Sequence, residues 1–164
     1  MPVDRQLNRI RVLGTPGARD VFWISSAYHQ AIVKTGFEEV ELDFTQCEVA
    51  FERFMLPIIC LARYYSREYN APTILIKPND LKLRALFHNA NWEHLISPDA
   101  FGETTFEGMQ HVPAVQFLDP VGHHQAVDRV LDMVLASLPN LSRDSLKALK
   151  WSLDEIDDNV TNHA

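Results

Sequence analysis

Residues 40–96 decide the fold, and they read VELDFTQCEVAFERFMLPIICLARYYSREYNAPTILIKPNDLKLRALFHNANWEHLI. Alternating apolar and polar residues predict a strand over 40–44, and helical periodicity predicts a helix over 51–69. The apolar run at 72–77 predicts a strand covered on both faces of its sheet. A helix over 79–96, broken near Asn91, follows it. Two strands joined by one helix imply a parallel pair with a crossover connection.

Elements on both sides of this stretch extend the same pattern. Upstream, the sequence predicts a short strand over 9–14 and a helix over 20–35. Downstream, it predicts an edge strand over 111–118 and helices over 121–138 and 142–164. Alternating strands and helices indicate an α/β layer fold of about four mostly parallel strands with crossover helices, followed by C-terminal helices.

Composition limits the classes of function. The chain has 164 residues, 46% of them hydrophobic, which is enough for one core with a few added helices. Its net charge of −7 and its lack of a Lys/Arg cluster argue against nucleic acid and anionic membranes as partners. The N-terminal residues lack the apolar region of a signal peptide, so we expect a cytoplasmic protein. Cys47 and Cys60, without C-x-x-C spacing, are predicted to be buried thiols in a reducing compartment.

Other polar residues give weaker indications of chemistry. His123 and His124 are adjacent, so they point to different faces of a regular element and do not predict a metal site. Cys47 has no histidine at a suggestive position, which favours a structural thiol over a nucleophile. Asp43 near the end of a strand lies where α/β folds place ligands, although a turn-forming or helix-capping aspartate fits equally well.

The last 23 residues, 142–164, read SRDSLKALKWSLDEIDDNVTNHA. Glu155 and Asn159 are four residues apart and share one side of the predicted helix. By spacing alone, the helix suits a core element with a solvated acidic flank. Its apolar residues recur at spacings of three and four and form one stripe: Leu146, Leu149, Leu153, Ile156 and Val160.

Residues 148–164, ALKWSLDEIDDNVTNHA, resemble the first conserved helix of the gyrase, heat-shock-chaperone, histidine-kinase and MutL ATPase superfamily, in which Glu-x-x-x-Asn precedes a His-Ala-like ending. The match is closest to the anti-sigma-factor serine kinases. The resemblance implies that Glu155 polarises the attacking water or hydroxyl and that Asn159 binds the Mg²⁺ that bridges the ATP phosphates. The nucleotide lid and glycine-rich boxes of that family do not occur in these residues. We therefore expect no cofactor and no activity in this chain, and ATP with Mg²⁺ in an ATPase or serine/histidine-kinase-like parent.

Residues 40–96 resemble the STAS family of anti-sigma-factor antagonists in their order of strand, helix, strand and short helix. This resemblance implies a signalling module that binds a regulatory protein partner. Two departures are expected. Residues 50–54, AFERF, carry no hydroxyl where most antagonists have Asp-Ser-Ser-Gly, so serine phosphorylation should not switch the module. A helix, instead of the usual hairpin, follows the first predicted strand.

Together these observations predict a STAS-like regulatory domain over 1–96, a linker or edge segment over 97–120, and the helical start of a truncated ATPase domain over 121–164. The expected function is the N-terminal interaction module of a histidine-kinase-like ATP-binding protein in bacterial regulation. The alternative is a stand-alone antagonist-like binding module without nucleotide function. A small flavodoxin-like enzyme ranks last, because the glycines of GTPG (14–17) are too close and flank a proline, unlike a phosphate loop.

The apolar stripe of the last helix also predicts how this helix packs. Exposing five such side chains would cost more than the usual stability of a small domain. We therefore expect either a homodimer through this helix or a hairpin against helix 121–138. In both arrangements Glu155 and Asn159 would face solvent.

Overall fold

The computed structural model describes residues 2–105, 111–117 and 119–163, with side chains described as far as Glu155. The chain divides into two compact units, Met1–Thr104 and Thr105–Ala164. In the described residues, no helix is long and apolar enough to cross a membrane.

The first unit is built on a four-stranded sheet. Its strands lie side by side in sequence order: β1 (Val3–Gln6), β2 (Arg9–Gly14), β3 (Val40–Cys47) and β4 (Thr73–Ile76). β1 and β2 are antiparallel, whereas β2–β3 and β3–β4 are parallel. The predicted fold class, a mostly parallel sheet with crossover helices and C-terminal helices, is confirmed.

Four helices accompany the sheet. They are α1 (Asp20–His29), which continues as one π-helical stretch (Gln30–Lys34), α2 (Glu52–Tyr69), α3 (Leu81–Asn89) and α4 (Trp92–Ile96). The crossovers β2–α1–β3 and β3–α2–β4 advance in the same direction, and right-handed crossovers of this kind place their helices on one face. α1 and α2 accordingly pack against each other. The Tyr28 hydroxyl lies 3.0 Å from Thr73 Oγ1, which ties this helical layer to β4.

The two faces of the sheet differ in chemistry. Ile10, Val12, Leu42 and Phe44 are completely buried in the core. Intervening residues of β2 and β3 are charged, and Arg9 donates from Nε to Glu41 Oε2 at 2.5 Å. This hydrogen bond and the charge of Glu41 raise the pKa of Arg9.

The strand over 72–77 was predicted to be covered on both faces, and this is wrong. Thr73 and Leu75 are buried, but Ile74 between them is 42% exposed. β4 pairs on one side with β3 and forms one edge of the sheet. A continuous apolar run therefore does not require two covered faces here, because alternate residues still point to opposite sides.

The antiparallel β1 was not predicted, because VDRQ has only one buried residue, Val3. β1 and β2 form a hairpin through Leu7, which has a positive φ of 58°. The helix expected after strand 9–14 is present as α1, but it does not replace a hairpin, because β1 and β2 form one before it.

The break near Asn91 is confirmed. Asn91 adopts a left-handed conformation with φ of 63° between α3 and α4. Its buried side-chain oxygen accepts a hydrogen bond from the Thr104 N–H at 2.9 Å. The edge strand predicted over 111–118 is wrong for its described part, because residues 111–117 form no strand. Leu118 lies outside the described residues. Two outward groups of β4, the Thr73 carbonyl and the Leu75 N–H, are instead bonded to the Ser97 hydroxyl.

The second unit contains α5 (Pro120–Ser137) and α6 (Arg143–His163), which pack against each other. Val127 and Leu131 of α5 are buried. The described part of the α6 stripe, namely Leu146, Leu149 and Leu153, is half-buried. The side chains of Ile156 and Val160 lie outside the described residues. The helices thus form a hairpin, which covers the described part of the stripe incompletely.

Ser97→Ala should destabilise the first unit by about 1–3 kcal/mol, because a buried donor and acceptor would lose their partner. The Ser97 hydroxyl donates to the Thr73 carbonyl and accepts from the Leu75 N–H at 2.9 Å, so it bonds two backbone groups at the outer edge of β4. Chemical denaturation measures the loss. Ser66→Ala, on an exposed position of α2, is the control. Equal stabilities of the two variants would contradict this role of Ser97.

Leu153→Asp should destabilise the α5–α6 hairpin by about 1–2 kcal/mol, since it places a charge in a half-buried apolar contact. Thermal unfolding measures the change, and Ser152→Asp on the exposed side of α6 is the matched control. Sedimentation of the same proteins tests the expected homodimer. A monomeric wild type whose mass and melting temperature are unchanged by Leu153→Asp would show that the stripe is not buried.

Candidate functional site

The candidate site lies where the parallel strands end, because loops after parallel strands collect at one edge of an α/β sheet. The loop after β3 leads into α2 through Val49, Ala50 and Phe51. Ala50 is buried, whereas Val49 and Phe51 are exposed. Two apolar side chains therefore face solvent at the start of the longest helix of the first unit.

The start of α2 has an unusual cap. Phe51 occupies the N-cap position in an extended conformation and provides no side-chain hydrogen bond to the helix. Helices that begin in solvent favour Ser, Thr, Asp or Asn at this position, because those side chains accept from free backbone N–H groups. The Phe51 carbonyl accepts from the N–H groups of Phe54 and Met55, both at 2.9 Å. An aromatic residue at this position therefore suits contact with another molecule better than it suits capping of the helix.

Charged groups surround this aromatic side chain. The guanidinium carbon of Arg53 lies 5.4 Å from the centre of the Phe51 ring, within the range of a cation–π contact. Glu52 in the first turn of α2 suits the positive end of the helix dipole. The segment 50–54 therefore presents an aromatic ring beside one positive and one negative charge.

A buried carboxylate stabilises the neighbouring loop after β4. Only 6% of the Glu93 side chain is exposed, and its two oxygens have separate partners. Lys77 Nζ lies 3.1 Å from Oε2, and His88 Nδ1 lies 2.7 Å from Oε1. Because a buried carboxylate is stable only when it is paired, these contacts hold α3 and α4 against the end of β4. The cluster is a structural support of the edge.

Asp43 lies inside β3, not at its end, and is buried. Its Oδ1 accepts from the Thr45 N–H at 2.9 Å and from the Thr45 hydroxyl at 2.7 Å. Arg9 Nη1 lies 3.8 Å from its Oδ2. These contacts favour a structural aspartate. Among the residues that the structure describes, no group of three or more His, Cys, Asp or Glu side chains could hold a metal ion.

The two thiols differ from each other. Cys47 is buried at the end of β3, its Sγ donates to the Val49 carbonyl at 3.3 Å, and burial raises its pKa to about 11. The expectation of a buried thiol is thus confirmed for Cys47. It is wrong for Cys60, which is exposed on α2. Cys60 stands in an apolar run, which led to the prediction that it is buried. In a helix, however, about every fourth residue of such a run faces solvent.

The residues predicted to act on ATP lie on α6. Glu155 is exposed, and the helix runs without interruption past Asn159 to His163. The side chain of Asn159 lies outside the described residues. The helical backbone places both residues on one side, one turn apart.

Searches of protein-family models, of curated proteins and of solved structures give no match to this chain. Function is therefore inferred from the residues of the chain itself. The sequence indicated segment 50–54 as the position of interest, but it did not indicate that Phe51 is exposed. The signal that could have indicated it is the aromatic residue at the start of the predicted helix 51–69, where polar capping residues are usual.

The reactivity of the two cysteines tests whether Cys47 is buried and Cys60 is exposed. At neutral pH a chromogenic disulfide reagent should label one thiol quickly, Cys60, and leave Cys47 protected until the protein unfolds. Cys47→Ser should retain the fast reaction, and Cys60→Ser should lose it. Rapid labelling of Cys47 in the folded Cys60→Ser protein would contradict its burial.

The pH dependence of stability has a defined sign. The folded-state pKa of Cys47, about 11, lies above its ordinary value of 9.0. The neutral thiol therefore contributes stability below about pH 9, and this contribution is lost as the pH rises towards 11. In denaturation curves measured from pH 8 to 11, the free energy of unfolding of Cys47→Ala should fall less than that of the wild type, because the thiol that ionises is absent. The free energy of unfolding of Cys60→Ala should fall as in the wild type.

Proposed function

We propose that the first unit is a STAS-like protein-interaction module that binds a regulatory protein at the start of α2. One observation carries this proposal: Phe51, 41% exposed, occupies an N-cap position without capping the helix. The order of β3, α2, β4 and the short helices α3 and α4 supports the resemblance, as does the hairpin that precedes them.

The chemistry of the site favours binding over catalysis. The carboxylate oxygens of Glu93 are engaged with Lys77 and His88. The raised pKa of Cys47, about 11, keeps this thiol neutral at physiological pH, so it is a poor nucleophile. An exposed aromatic ring with an adjacent arginine is typical of protein interfaces, in which aromatic and arginine side chains carry much of the binding energy.

The interaction should be constitutive. Segment 50–54 offers no Ser or Thr hydroxyl to a kinase, and Glu52 supplies a permanent negative charge in the first turn of α2. In STAS proteins that are switched by phosphorylation, a serine at this place gains its charge on modification. This chain would thus hold one fixed state and would leave regulation to its partner.

The second part of the proposal concerns α6. By its resemblance, this helix begins an ATPase domain of the histidine-kinase type, in which Glu155 would orient the nucleophile and Asn159 would bind Mg²⁺ with ATP. The 164 residues themselves contain neither the lid nor the glycine-rich boxes, so we propose that nucleotide and metal belong to a longer parent. The alternative, a stand-alone antagonist-like module, uses the same surface on α2.

The ATPase domain of an anti-sigma-factor serine kinase is the partner to test. Phe51→Asp should weaken its binding to this chain about tenfold or more in calorimetry, because the exposed ring is lost and a charge takes its place. Tyr69→Asp is the control, since Tyr69 is similarly exposed, 45%, at the other end of α2. Equal affinities of the two variants, or no binding by the wild type, would refute the proposed surface.

The same mixture tests whether the module is constitutive. After incubation with the kinase and ATP, mass spectrometry should find no phosphate in segment 50–54, which has no hydroxyl to accept one. The partner should bind equally well before and after incubation. A loss of binding that accompanies phosphorylation at any other residue would show that the module is switched after all.

A further inference from the structure

A shallow groove of about 470 Å³ lies between α1 and α2 of the first unit. Its lining is mainly apolar, although two of the lining residues, Phe22 and Tyr64, are 68% and 50% exposed. An exposed apolar surface of this kind marks an interaction site. The lining residues are Val21, Phe22 and Ser25 of α1 and Pro57, Cys60, Leu61 and Tyr64 of α2.

The wall that α2 contributes is symmetrical about a point between Cys60 and Leu61. Pro57 lies three residues before Cys60, and Tyr64 lies three residues after Leu61. When a second α2 packs antiparallel to the first about this point, Pro57 of one copy comes level with Tyr64 of the other, and Cys60 comes level with Leu61. A twofold axis brings a surface against the same surface of another copy, so self-pairing requires a symmetry of this kind.

Two charges follow this apolar wall, one at each end. Arg53 lies four residues before Pro57, and Glu68 lies four residues after Tyr64, so both continue the groove side of α2. Both residues are exposed, and the ion pairs of the described residues involve neither of them. In the antiparallel pair, Arg53 of one copy comes level with Glu68 of the other, and the twofold axis repeats this pair at the opposite end. The surface is therefore complementary to itself in charge.

We infer that the partner of this groove is a second copy of the chain, and that two chains form a twofold dimer through antiparallel α2 helices. The groove residues of α2 form its apolar centre, and Arg53 of each copy pairs with Glu68 of the other. Residues 53–68 span about 24 Å and two adjacent helices about 20 Å, which gives a face on the order of 500 Å² per copy. Interfaces of this size belong to weak, reversible associations, so monomer and dimer should exchange at micromolar concentrations. The inference does not rest on the proposed protein interaction, and its surface is not the apolar stripe of α6.

The charges provide the first test, by sedimentation of the whole chain over a range of concentrations. Arg53→Glu should weaken the dimer about tenfold or more, because it places like charges together at both ends of the interface. Glu68→Arg should do the same. The double variant with both changes restores opposite charges and should recover the dissociation constant of the wild type. Glu52→Arg is the matched control and should leave it unchanged, since Glu52 is exposed in the same turn as Arg53 but lies away from the groove side.

Cys60 provides the second test. Packed helices lie about 8–10 Å apart, so the two Cys60 residues beside the twofold axis come within reach of a disulfide. Oxidation of the whole chain with copper phenanthroline should therefore link two copies through Cys60. The variant Cys60→Ser with Ser66→Cys moves the thiol to the other side of α2, where Ser66 is exposed, and should give much less linked dimer. The fast labelling of Cys60 in dilute solution should also slow as the protein concentration rises, because the dimer covers the groove.

Several results would overturn the inference. They are a chain that stays monomeric at millimolar concentration, single charge variants that dimerise like the wild type, a double variant that does not recover the dimer, and equal linking of Cys60 and of the cysteine at position 66. A dimer that Leu153→Asp dissociates and Arg53→Glu does not would also overturn it, since that dimer would form through α6.

Discussion

The structure of the first unit depends on the handedness of its two crossovers. Since β2, β3 and β4 are neighbours in sequence order, right-handed connections place α1 and α2 on the same face of the sheet. One face of the strands must therefore be apolar. The intervening residues carry charges, as the Arg9–Glu41 pair shows. The same topology leaves β4 at an edge, where its free backbone groups need a partner. The Ser97 hydroxyl satisfies two of them, the Thr73 carbonyl and the Leu75 N–H.

Much of this could be predicted from the sequence, because strong periodicity determines the type of an element. The boundaries of β2 agree with the predicted strand, and the break at Asn91 was visible from its position between two apolar repeats. β1 was not predictable in this way, since only Val3 of its four residues is buried. The opposite error occurred at 111–118, where an apolar run predicted a strand that residues 111–117 do not form. Hydrophobicity alone does not make a strand.

The position of the candidate site could be predicted from the sequence, but its chemical properties could not. Its place follows from topology, because loops after parallel strands meet at one edge. Its chemistry depends on which way single side chains point. Phe51 is exposed as the extended N-cap residue of α2. The exposure of Cys60 follows from the rotation of α2 about its own axis, and packing against α1 and α4 sets this rotation.

α2 carries the proposed docking surface at its start, and the construction of the helix affects this end. Phe51 occupies the N-cap position. Pro57 lies six residues further on, about 9 Å along the axis at 1.5 Å per residue, and has no N–H to donate to the carbonyl four residues earlier. The first turns of α2 are thus held by fewer backbone hydrogen bonds than its second half. Any difference in stability within this helix should appear at the end that carries Phe51, which leaves the docking end free to adapt to a partner.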